Sequence, residues 1–122
     1  MKYDEMIGRL RKEAGLEREE AERTLLFVLQ SLVDRITGGE ADDLVSQLPQ
    51  ELKMAITITP DAEPMTSTEF VTLVAGELGV DEDEARRRIN AVFHVLKDAV
   101  TPGEYHDVLV QLPSGIAELA LT

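Results

Sequence analysis

Thr37-Gly38-Gly39-Glu40-Ala41-Asp42-Asp43-Leu44-Val45-Ser46-Gln47-Leu48-Pro49 returns later in the chain as Thr101-Pro102-Gly103-Glu104-Tyr105-His106-Asp107-Val108-Leu109-Val110-Gln111-Leu112-Pro113, offset by 64 residues. The same offset runs on to both sides without a gap. Laying residues 5–56 on residues 69–120 gives 16 identities in 52 positions, among them Glu13/Glu77, Gly15/Gly79, Glu20/Glu84, Ala21/Ala85, Val28/Val92, Leu32/Leu96 and Asp34/Asp98. Where identity fails, apolar character persists, as in Leu25/Ile89, Leu29/Phe93 and Ile36/Val100. A fixed period of this kind marks a duplicated supersecondary unit. The expected organisation is one domain over 1–122, with a first repeat of about 3–56, a linker over 57–66 and a second repeat of about 67–120.

Each unit reads as four helices. The first should span about Tyr3 to Ala14, with Asp4 as N-cap, Met6, Ile7 and Leu10 as its apolar stripe, and Gly15 as a left-handed stop. Its counterpart opens at Thr66 with Glu69 at capping-box spacing. Phe70, Val71, Leu73, Val74 and Leu78 follow, and Gly79 ends it. The second helix, about Glu17 to Ile36, places Ala21, Leu25, Val28, Leu29, Leu32 and Ile36 three and four residues apart, on one face of a 3.6-residue period. Its copy carries Ala85, Ile89, Val92, Phe93, Leu96 and Val100 behind an acidic start, Asp81-Glu82-Asp83-Glu84, which suits the positive end of the helix dipole. Thr37-Gly38-Gly39 and Thr101-Pro102-Gly103 read as tight turns before a short third helix. Pro49 and Pro113 suit the first position of a short fourth. Ile56-Thr57-Ile58-Thr59 is the best strand candidate, but it stops at Pro60. The expected fold is all-α: two tandem short-long-short-short helical units packed as one bundle-like domain.

Bulk composition narrows the function classes. No cysteine is present, which removes disulfides, thiolate catalysis and cysteine-ligated zinc. No signal-like N-terminal run or bilayer-length apolar segment is seen, and a cytoplasmic location is expected. The net charge of −12, from 24 acidic and 12 basic residues, opposes nucleic acid and anionic membranes, whose binding needs Lys and Arg. Residues 1–58 contribute 12 acidic and 8 basic groups (net −4), and residues 59–122 contribute 12 and 4 (net −8).

Taken together, several paired features resemble a prokaryotic family of small proteins catalogued as domain of unknown function 2267. They are the Gly-Leu or Gly-Val turn, the acidic helix start with Ala21 or Ala85, the long apolar helix, the Thr-x-Gly-Glu turn and Gln-Leu-Pro. Gln47-Leu48-Pro49 and Gln111-Leu112-Pro113 are its most specific marks, and the resemblance runs from Tyr3 to about Leu121. It implies an all-helical protein of repeated units and carries no reaction or catalytic residue.

No motif brings a catalytic constellation, and no cofactor or metal is expected. His94 and His106 stand near Asp98, Glu104 and Asp107 in sequence, but the first unit has Gln30 and Asp42 in their places. They read as surface histidines rather than ligands. The run Asp81–Glu84 lacks the glycine and distal glutamate of a calcium loop. Arg86-Arg87-Arg88 fans over roughly 200° of a helix, which suits pairing of Glu82 with Arg86 and Glu84 with Arg88 better than one phosphate patch. Four residues remain as candidates for an interface or pocket. Leu26 and Phe27 lie off the apolar stripe, become Asn90 and Ala91 in the second unit, and are candidates for contact between units. Gln47 and Gln111 either cap a helix joint or line a pocket between the units. The leading functional expectation is a protein-interaction or scaffolding module. The alternative is a small-ligand-binding protein or enzyme with its site between the repeats.

Overall fold

The computed structural model describes residues 1–121. Among them it contains α1 (Tyr3–Ala14), α2 (Arg18–Val33), α3 (Gly38–Ser46), α4 (Gln50–Ala55), α5 (Ser67–Leu78), α6 (Glu82–Ala99), α7 (Pro102–Gln111), α8 (Ser114–Ala117) and a closing 3-10 turn, Glu118–Ala120, with no strand. The expected all-α class is what is observed.

Short-range chemistry accounts for most helix ends. Gly15 and Gly79 have φ of 67° and 68°, a conformation that a Cβ makes costly. They terminate α1 and α5 at equivalent places. Thr66 accepts from the Glu69 amide at 3.1 Å while the Glu69 carboxylate accepts from the Thr66 amide at 3.0 Å, a complete capping box that holds the Glu69 carboxyl below its usual range. Asp81 caps α6 through the Glu84 amide at 2.8 Å.

Several expected boundaries move. The N-cap of α1 is Lys2, without a side-chain bond. Asp4 lies in the first turn and pairs instead with Arg18 at 2.7 Å. α2 ends at Val33, three residues before Ile36, although Ile36 is still buried. Thr37 and Thr101 are N-caps rather than turn residues, and Gly38 and Pro102 are already helical. The capping power of Thr37 and Thr101 outweighs the turn preference of the residues behind them. Pro49 and Pro113 stand one residue earlier than expected, as N-caps, Pro49 in extended conformation. The Pro49 carbonyl accepts from the Leu52 and Lys53 amides.

Residues 56–59 form no strand. Gln30 pairs with the Thr57 backbone in both directions, accepting from its amide at 2.9 Å and donating to its carbonyl at 2.8 Å. The connector is then strapped to the end of α2. Arg35 donates to the Glu63 carbonyl at 2.7 Å, the Glu63 amide donates to the Asp34 carbonyl, and the Gly38 amide donates to the Pro60 carbonyl. That last bond, with a Cβ at Gly38 meeting the Pro60 backbone at 3.2 Å, explains glycine where the second unit has Pro102.

The buried stripes meet in one hydrophobic cluster that runs from Met6 to Ile116. α1 packs on α2 and α6, and α5 packs on α6 and α2. Each short first helix therefore touches the long helix of both halves. Val28, Leu32 and Val92 are 0 % exposed and Leu96 is 2 % exposed, as the periodicity predicts. Two apolar residues of these helices stay outside the cluster. Leu26 and Leu73 are each 39 % exposed, and Phe27 is only partly covered.

Where α2 crosses α6, Arg88 is nearly buried. It donates to Glu84 at 2.7 Å, to Glu20 at 3.2 Å and to the Thr24 hydroxyl at 3.3 Å. Glu84 and Arg88 pair as expected, but Glu82 bonds Thr72 and Arg86 lies 3.7 Å from Asp83. Arg88 and Thr24 are 64 residues apart, as are Glu20 and Glu84, so equivalent positions meet at this crossing. A second arginine there would face the first, and threonine avoids that repulsion. Arg88→Ala is expected to lower the unfolding free energy by roughly 1–3 kcal/mol, because buried hydrogen bonds to carboxylates are lost and Glu20 and Glu84 are left without their shared cation. Urea unfolding monitored by circular dichroism measures this directly.

Candidate functional site

α3 and α7 pack against each other, and their first turns build an acidic junction. Each starts on a threonine cap, with Thr37 accepting from the Glu40 amide at 3.4 Å and Thr101 from the Glu104 amide at 3.2 Å. In α5 the glutamate three residues after the cap turns back to satisfy the cap amide. In α3 and α7 that amide is already taken. The Thr37 amide and hydroxyl donate to Gln111 Oε1 at 3.0 and 3.1 Å, and the Thr101 amide donates to Gln47 Oε1 at 2.8 Å. The Gln-Leu-Pro glutamine of each half thus caps a helix of the other.

This exchange leaves the Glu40 and Glu104 carboxyls without their usual local partner. They meet each other and Asp107, with one oxygen from each of the three lying within 4.8 Å of the others. Glu104 is 8 % exposed. Its Oε2 and Glu40 Oε1 are both buried and receive no hydrogen bond from another group's N–H or O–H. Burial, then a hydrogen bond with Glu40 and the charges of Glu40, Asp43 and Asp107, push the Glu104 carboxyl up to about 8. Among the described residues, no ion pair involves Glu40, Asp43, Glu104 or Asp107. Chemically the arrangement is a set of hard oxygen donors that needs a proton or a cation between them.

The histidines stand elsewhere. His94 Nδ1 contacts the Glu13 carboxylate of α1, and His106 is exposed. Among the described residues neither joins a group of three potential ligands. Glu104 and Asp107 do converge, but on Glu40 from the other half. A sequence signal for this exists: Glu40 and Glu104 are identical at the capping-box position of both units. Their release from that box depends on glutamines 71 and 57 residues away (Gln111 minus Glu40, Glu104 minus Gln47).

Leu26 and Phe27 lie apart from this junction. With Arg23, Gln30, Ala55 and Glu77 they line an open hollow of about 300 Å³. Arg23 bridges its edge by donating to the Glu77 carbonyl. At the equivalent place in the second half, Asn90 donates to the Leu119 carbonyl at 3.0 Å and the Leu119 side chain packs on the core. Ala55 is the 64-residue equivalent of Leu119. The hollow opens where a small side chain replaces leucine.

No helix among the described residues is long and apolar enough to cross a membrane. A search of curated proteins finds no match. The Gln-Leu-Pro and Thr-x-Gly-Glu elements that build the α3–α7 junction lie within residues 3–119, which match the model of the family described as "Uncharacterized conserved protein (DUF2267)", and the chain belongs to that family.

Proposed function

We propose that the protein is an interaction module that receives one apolar side chain, carried on a basic segment of another protein, in the Leu26–Phe27 hollow. The observation that carries this reading is the vacancy opposite Ala55. In the second half Asn90 holds the Leu119 carbonyl, and Leu119, on a short helical turn, packs on the core, which supports leucine as the kind of side chain that suits the hollow beside Ala55. The hollow of about 300 Å³ has room for a branched aliphatic side chain, and Leu26, 39 % exposed, and Phe27 give it an apolar wall. The net charge of −12 selects a cationic segment by long-range attraction and disfavours a second copy of the chain.

A synthetic amphipathic helix of leucine and lysine is the probe. Fluorescence anisotropy should show saturable binding to the full chain that weakens with salt. Leu26→Asp should weaken it roughly tenfold, as for loss of one anchoring contact, whereas Val110→Asp, at an exposed position outside the hollow, should leave it unchanged. Absence of binding, or equal losses in the two variants, overturns the proposal.

A further inference from the structure

We propose that Glu40, Glu104 and Asp107 form a binding site for a hard divalent cation of calcium's size, shared between α3 and α7. The site has no residue in common with the Leu26–Phe27 hollow and does not depend on the function proposed for it.

Three observations support it. The first is geometry: carboxylate oxygens from three side chains lie within 4.8 Å of one another. Two oxygens bound to one calcium at about 2.3–2.6 Å fall within such a separation. The second is the unpartnered buried oxygen. Glu104 is more than nine-tenths buried, and its Oε2 and Glu40 Oε1 are buried with no donor other than a proton shared between the two carboxyls. A buried carboxylate oxygen left without a partner is costly, and a cation satisfies both oxygens at once. The third is charge. Glu40 and Asp43 are one turn apart on α3, and Glu104 and Asp107 are one turn apart on α7. Four acids gather at the junction, and no lysine, arginine or histidine pairs with them among the described residues.

The donor set defines the class of ion. Oxygen donors without imidazole or thiolate favour calcium, magnesium or manganese over zinc or copper. Asp107 is exposed, so one side of the site is open to water, which calcium and magnesium both retain as ligands. The ligands come from both halves, and Gln47 and Gln111 hold the same two helix starts. A bound cation would therefore tie α3 to α7 and stabilise the packed chain.

The experiment uses the full chain, freed of metal with a chelator, followed by thermal unfolding and calorimetric titration with calcium, magnesium and manganese chlorides. Calcium should bind at one site per chain and raise the unfolding midpoint progressively with concentration, because a ligand held only by the folded state stabilises it by mass action. Glu104→Gln and Glu40→Gln should each abolish both effects. Asp107→Asn, at an exposed position that should not disturb folding, should weaken binding, and Asp61→Asn on the connector should not. Three outcomes overturn the site. One is no heat and no midpoint shift with any of the three ions. Another is binding that survives in Glu104→Gln and Asp107→Asn, which would mark scattered surface acids. The third is a rise in midpoint on Glu104→Gln with no response of the parent chain to any ion, which would show that a proton alone bridges the pair.

Discussion

Residues 1–58 and 64–122, expressed as separate chains, are expected each to be poorly folded or self-associated, and mixing them should restore a cooperative urea transition. A unit of this size buries only about 60 % of the surface its unfolded chain exposes, and here much of its apolar face is covered by the other half. α1 rests on α6 as well as on α2, and α5 on α2 as well as on α6. Separation would strip α1, with its Met6–Ile7–Leu10 stripe, of α6 and leave it only α2 and α4. It would also leave Arg88 without Glu20 and Thr24, and the Thr37 and Thr101 amides without Gln111 and Gln47. Helicity of each fragment against urea, alone and in equimolar mixture, is the measurement. Two fragments that melt independently as monomers, with midpoints like the intact chain, would refute interdependence of the halves.

Leu32→Ala is expected to cost roughly 2–5 kcal/mol of unfolding free energy, the range for deleting a leucine side chain from a closed core. Leu32 is 0 % exposed near the C-terminal end of α2, beside the buried Val28 and Leu29 and ahead of the buried Ile36. Backbone motion cannot readily close the cavity, because α2 is held by α1, α5 and α6 together. A loss within about 0.5 kcal/mol in chemical denaturation, typical of surface substitutions, would mean that the site collapses around the change. Leu26→Ala is a useful companion. Leu26 is on the same helix but only partly covered, so its truncation should cost much less than that of Leu32.

The two leucines show what periodicity conveys. Spacing at three and four residues identifies the face on which Val28, Leu32, Val92 and Leu96 lie, and these are the residues the core encloses. Leu26 is equally apolar but off that face, and hydrophobicity alone suggested a contact between units. It is 39 % exposed in a hollow that it lines with Phe27, Ala55 and Glu77, a meeting of α2, α4 and α5 that no local pattern contains. The basic run is a different case, because Arg88 lies three residues after Ala85 and four before Val92, on the stripe itself. Of Arg86, Arg87 and Arg88 only Arg88 faces the α2–α6 crossing and is buried, and the partners it finds there, Glu20 and Thr24, come from the other half.

By itself the sequence determined the helical class, the order and approximate span of the long helices, the glycine stops at Gly15 and Gly79 and the caps at Thr66 and Asp81. Each of these arises from interactions among residues within about one turn of one another. Tertiary structure alone decided the α3–α7 junction. Glu40 and Glu104 each carry the local signature of a capping box. Which partner satisfies the Thr37 and Thr101 amides depends on the approach of Gln111 and Gln47 from the opposite half. Once those amides are taken, the two carboxyls lose their short-range role and are pressed together, Glu104 buried and Glu40 half-buried, with water admitted only past the exposed Asp107. Long-range packing thereby converts two ordinary helix starts into a buried cluster of oxygen donors.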